Sequence, residues 1–122
     1  MKDKLVLLLS IGAILIALGF WLRGTSGEQI SGEAARTLVK DGALLVDVRT
    51  SEEFADGHID GAINIPVSQL DARITEVGAK THPVVVYCFS GARSKRAADA
   101  LRAAGFNSVY NLGGMSRWPR GG

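Results

Sequence analysis

The chain has 122 residues, and once a strongly apolar N-terminus is set aside about 90 remain, enough for one compact domain and too few for two. Apolar residues make up 47% and charged residues 21%, the composition of a chain that folds, and a net charge of +2 with Lys and Arg interspersed among Asp and Glu leaves no basic footprint for nucleic acid. A single cysteine and two histidines far apart, His58 and His82, exclude an internal disulfide framework and a Cys/His metal centre, and no cofactor is expected.

Residues 5–22 (LVLLLSIGAILIALGFWL) run without a charge between Lys4 and Arg23. As a helix they extend about 27 Å, close to the roughly 30 Å of a bilayer core, with Trp21 at interfacial depth, so a transmembrane helix is expected. The alternative is a cleaved signal peptide, because a basic start precedes the apolar run and Ala17-Leu18-Gly19 resembles a cleavage site. The length of the run, and the Phe20-Trp21-Leu22 that cleavage would leave at the new terminus, favour the anchor. Lys2 and Lys4 hold the short N-terminal tail in the cytoplasm, which places the following domain outside it, in the periplasm or its equivalent; a cleaved signal would give a secreted or periplasmic protein. Residues 23–29 are a polar, glycine-containing linker, and residues 30–120 the folded domain.

Within the domain, Ser31 caps a helix over Gly32 to Lys40 that Asp41-Gly42 ends, and Ala43 to Val48 reads as a buried strand. Thr50 with Glu53 forms a capping-box pattern for a short helix ending near Gly57. Ile63-Asn64-Ile65 alternates as a strand and stops at Pro66, and Ser68 is placed to cap a helix running to about Val77. Val84 to Tyr87 is β-branched and apolar, a buried parallel strand with Cys88 at its end. Residues 92–104 have helical periodicity, with Ala97, Leu101 and Ala104 on one face and Gly105 as the stop. Val109-Tyr110-Asn111 offers a last strand before a Gly113-Gly114 turn. Strands alternating with helices give an α/β domain with a mainly parallel central sheet flanked by helices, preceded by the N-terminal transmembrane helix.

The chemistry falls on Cys88-Phe89-Ser90-Gly91-Ala92-Arg93-Ser94, between the buried strand and a helix. A cysteine after an apolar strand is ordinarily an inert core residue. Here a glycine-containing turn and a helix N-terminus follow it, so consecutive amides converge on the sulfur and Arg93 adds a cation. Such surroundings lower a thiol from its usual value near 8.5 and make a nucleophilic thiolate.

The stretch from about Ile30 to Pro119 resembles a single-domain rhodanese of the thiosulfate sulfurtransferase type. The resemblance is carried by Asp47-Val48-Arg49, Glu53-Phe54, Gly57-His58-Ile59-Asp60-Gly61-Ala62 and Asn64-Ile65-Pro66. It continues in the active-loop pattern Cys88, Gly91, Arg93, Ser94, and in Asn111-Leu112-Gly113-Gly114 before Trp118-Pro119. It implies that the Cys88 thiolate attacks the outer sulfur of a donor such as thiosulfate, releasing sulfite and leaving a persulfide. The amides of Phe89, Ser90, Gly91, Ala92 and Arg93 would hold that persulfide, and a thiol or cyanide would remove its sulfur. Asp47 and Arg49 would support the loop from the adjacent strand end. Arg93 is either a donor-binding cation or a helix-start arginine paired with a carboxylate such as Asp47. His58 is left out of the mechanism, since a thiolate needs no base, and Trp118 is expected in the core. Two rivals remain. Phosphatases and arsenate reductases of this fold carry a loop one residue longer and a histidine where Tyr87 stands; a rhodanese module that only binds a partner, or carries persulfide to a dedicated one, would share the fold.

Overall fold

The computed structural model describes residues 28–121. The expected membrane span at 5–22 and the linker up to residue 27 lie outside them; among the described residues no helix is long and apolar enough to cross a membrane.

Helix α1 (Gly32–Lys40) begins where Ser31 Oγ accepts the Ala34 amide at 3.1 Å, and it ends at Asp41. Strand β1 (Leu44–Asp47) leads to α2 (Ser51–Asp56), whose start is a complete capping box. There the Glu53 amide donates to Thr50 Oγ1 at 3.2 Å and the Thr50 amide to Glu53 Oε1 at 3.2 Å, so two orphan donors of the first turn are satisfied reciprocally. Strand β2 (Ile63–Asn64) is two residues long, β3 (Val84–Cys88) is buried throughout, and α3 (Ala92–Ala103) returns the chain to β4 (Val109–Gly114).

The four strands form one parallel sheet in the order β2-β1-β3-β4. Successive side chains of β3 enter opposite layers. Val84, Val86 and Cys88 join Ala97, Ala98 and Leu101 of α3, whereas Val85 and Tyr87 join Ala35 of α1 with Leu45, Ile59 and Leu112. Each fully buried Val or Leu contributes roughly 1.5–3 kcal/mol, so the β3 run holds firmly the point where Cys88 leaves the sheet. The chain after β1 goes one way, to β2, and the chain after β3 goes the other way, to β4. Between the carboxyl ends of β1 and β3 lies the switch point at which open α/β sheets form their crevice.

Two expectations are corrected. Ser68 caps no helix: Val67–Gln69 and Ile74–Val77 are separate 3-10 turns without side-chain caps, and Gly78, at φ 94°, stops the second. Short 3-10 pieces suffice to lay Leu70 and Val77 on the core while the chain returns to the start of β3. Gly113-Gly114 is not a turn but the end of β4. The register shifts between Val86 and Tyr87, so that Val86 faces Asn111 while Tyr87 faces Gly113 and Cys88 faces Gly114. Leu112 is the extra residue of this irregularity, and Asn111 Oδ1 steadies it by accepting the Gly113 amide at 2.8 Å.

Candidate active site

Cys88 is fully buried at the end of β3, and Gly91 N–H donates to its Sγ at 2.9 Å. Gly91 is the N-cap of α3 with φ 112°, a left-handed conformation that favours glycine, and no side chain caps this helix. The sulfur therefore stands where a capping oxygen would stand in α1 or α2, at the positive end of the helix dipole. On its other side the Cys88 thiol lies 3.5 Å from Ser94 Oγ, which itself donates to the Gly91 carbonyl at 3.0 Å. When the thiol ionises, the Ser94 hydroxyl can turn its proton to the sulfur. Burial alone pushes the Cys88 thiol up; the Ser94 hydroxyl together with the amides of Ser94, Gly91 and Ser90 outweighs it and holds the thiol below its usual range.

The residues expected to surround the sulfur are thus distributed unevenly. Gly91 and Ser90 contribute amides, whereas Phe89 turns outward and is 68% exposed, the one large hydrophobic side chain among the described residues left in solvent. Ala92 is an exposed first residue of α3. Arg93 faces α2: its Nη1 and Nη2 donate to Glu53 Oε1 and Oε2 at 2.6 and 3.0 Å, so its carboxylate partner is Glu53 and not Asp47. The bidentate bond from Arg93 is the main reason that the Glu53 carboxyl is held down at about 2.

Asp47 is occupied by Arg49. The Arg49 Nε donates to both carboxylate oxygens at 3.0 Å, Nη2 to Oδ2 at 2.7 Å, and the Arg49 amide to Oδ1 at 2.9 Å. Nη2 also reaches the Gly57 carbonyl at 2.7 Å, and the guanidinium carbon lies 5.8 Å from the centre of the Tyr87 ring. Asn64 Nδ2 then ties the carbonyls of Asp47 and Arg49 together at 3.0 Å each. These two residues, expected to support the loop, form a closed strut at the end of β1, the strand paired with β3.

Ser94, Glu53, Gly113 and Gly114 are site residues that sequence reasoning left in the background. Ser94 closes the quoted loop pattern, one position beyond the expected set of amides, and is buried against the sulfur. A Cβ at Gly114 would stand 2.8 Å from the Phe89 carbonyl oxygen, so the loop backbone can lie over β4 only because no side chain is there. The Gln29 side chain fills the space beside Gly91 and Gly113 in the same way. The remaining candidates stand apart: His58 is exposed, stacked on Phe54 with ring centroids 3.7 Å apart, and its Nδ1 meets the Phe54 carbonyl at 2.9 Å. Trp118 is half-buried against the α1 side of the core. Among the described residues no cluster of three His, Cys, Asp or Glu side chains is placed to hold a metal ion.

The arrangement can stabilise negative charge on Cys88 Sγ, or on an atom bonded to it, through fixed donors. A general base is not required for a sulfur already inclined to ionise.

The rhodanese-like domain family model matches residues 31–120. A protein named sulfurtransferase from Allochromatium vinosum is 41% identical over 96 residues, spanning 78% of this chain and 86% of that protein. The uncharacterized protein YqhL of Bacillus subtilis is 49% identical over 77 residues, which take in 62% of this chain and 60% of that protein. In structure, the human single-domain sulfurtransferase TSTD1 matches with a TM-score of 0.63 at 30% identity, over 74% of this chain and 90% of that one. A parallel sheet with a cysteine at its switch point, a family match over most of the chain and relatives named sulfurtransferases agree: this chain belongs to the rhodanese-like domain family.

Proposed function

We propose that this protein is a sulfurtransferase that carries a sulfane sulfur on Cys88. The observation that carries the reading is the Gly91 amide at 2.9 Å from Cys88 Sγ, on a helix that has no other cap. The Cys88 thiolate attacks the outer sulfur of a donor such as thiosulfate; a bond forms between the two sulfurs, and the donor's S–S bond breaks with its electron pair leaving on sulfite. The anionic persulfide is held by the amides of Ser90, Gly91 and Ser94 and by the Ser94 hydroxyl. A thiolate or cyanide then attacks the outer sulfur and returns Cys88 as the thiolate, a ping-pong cycle without redox cofactor or metal. The names of the relatives support this reading.

A phosphatase or arsenate reductase of the same fold is the weaker reading. Four residues separate Cys88 from Arg93, and both terminal nitrogens of Arg93 are engaged by Glu53 rather than free for a tetrahedral oxyanion. The apolar segment 5–22 is assigned the role of a membrane anchor with the domain outside the cytoplasm, which protease accessibility in intact cells tests.

For the chemistry, the full chain and Cys88→Ser are incubated with thiosulfate and cyanide. Thiocyanate is expected from the first alone, and intact mass after thiosulfate alone should show one added sulfur. Equal thiocyanate from both proteins would overturn the reading, and turnover of an aryl phosphate would replace it.

A further inference from the structure

Arg93 is the one cation of the loop from Cys88 to Ser94, and it is engaged by both oxygens of Glu53. Glu53 in turn is a fixed charge. Its Oε1 also takes the Thr50 amide at 3.2 Å and the Thr50 hydroxyl at 3.1 Å, so the capping box of α2 holds the carboxylate toward the loop. The pair is partly open to solvent, with 29% and 34% of the two side chains exposed. Arg49, at the end of the neighbouring strand β1, is buried and matched by Asp47. Arg93 and Arg49 are thus each matched by a carboxylate, and ionising Cys88 adds one negative charge that neither of them is free to offset. A dianion entering that field is opposed about twice as strongly as a monoanion.

Resting on the sulfurtransferase reading, we propose that Glu53, by engaging Arg93, sets the donor preference of this site toward singly charged sulfane donors, thiosulfonates and alkyl persulfide anions, over dianionic thiosulfate. Glu53 acts through Arg93 and is a positioning residue. With a thiosulfonate the Cys88 thiolate bonds to the terminal sulfur, the S–S bond breaks, and the electron pair leaves on a sulfinate. Charge balances, and no outside oxidant or reductant enters.

The test compares kcat/KM for methanethiosulfonate and for thiosulfate, with cyanide as acceptor, in the full chain, Glu53→Gln and Glu53→Asp. Glutamine serves the capping box as glutamate does, so Glu53→Gln removes the charge with little change of shape. The ratio of monoanion to dianion is expected to fall about fivefold in Glu53→Gln, the size of one partly screened charge, with the change in KM for thiosulfate. Glu53→Asp keeps the charge and should keep the wild-type ratio. In the unsubstituted protein, raising the ionic strength should lower the ratio too. A ratio unchanged in Glu53→Gln, or indifferent to salt in the wild type, would overturn the proposal while leaving the sulfurtransferase reading intact. Failure of both donors to add a sulfur to Cys88 by intact mass would instead overturn that reading and the proposal with it.

Discussion

Two strand-to-helix junctions stand side by side at the carboxyl edge of the sheet, and they are solved in opposite ways. Between β1 and α2, side chains satisfy the polar groups: Asp47 is matched by Arg49, Arg49 reaches Gly57, and Thr50 with Glu53 closes the helix start. Between β3 and α3 no side chain caps the helix, and its amides turn to the Cys88 sulfur. The first junction is a finished structure. The second leaves its capping place to a group that can change charge and bonding. The Glu53–Arg93 bond joins the two across the crevice.

The sharpest way to break this contrast is to remove the acid from the closed junction. Asp47→Asn leaves Arg49 buried without its counter-charge and is expected to lower unfolding free energy by about 3–5 kcal/mol, read from denaturant curves. A smaller loss than about 1 kcal/mol would mean that solvent, not the ion pair, satisfies this strand end. At the open junction the damage should fall on chemistry. Ser94→Ala removes the hydroxyl that helps hold the Cys88 thiol below its usual range, so the thiolate persists to a less acidic limit. Alkylation of Cys88 by iodoacetamide should become on the order of tenfold slower at neutral pH, with the acidic limb of the rate profile moved upward, and equal in rate to wild type well above pH 9.

The smallest effect concerns the bond between the junctions. Glu53 is held at about 2 against an ordinary 4.5, chiefly by Arg93, so its stabilising contribution is complete above 4.5 and lost as pH falls toward 2. The pair is about one-third exposed, and solvent screening keeps that contribution to about 1 kcal/mol or less. Acid unfolding of Glu53→Gln should accordingly lack this component. An identical acid transition in both proteins would show that the two junctions are energetically separate.

Local chemistry made much of this legible beforehand. Ser31 and Thr50 cap the helices assigned to them, because a cap is decided by residues three or four apart and needs no distant partner. The buried run at 84–88 and the glycine after it placed Cys88 at a strand end facing a helix start. Longer-range facts were not readable. Nothing near Arg93 in the chain distinguishes Glu53 from Asp47 as its partner; the parallel pairing of β1 with β3, which sets their following helices side by side, does. Gly113-Gly114 has the composition of a turn, and only the loop carbonyl lying 2.8 Å from a would-be Cβ at Gly114 explains why glycine sits inside β4. Ser68 has the residue type of a cap, but the connection to β3 is made by 3-10 turns.

By itself, then, the sequence determined the α/β class, the helix starts and the position of the single cysteine, because each depends on periodicity or on contacts within one turn of the chain. Tertiary structure alone decided which charges meet and which donors reach the sulfur. Those depend on strand order and register, which bring Glu53 to Arg93 and Gly114 beneath the loop across long stretches of intervening chain.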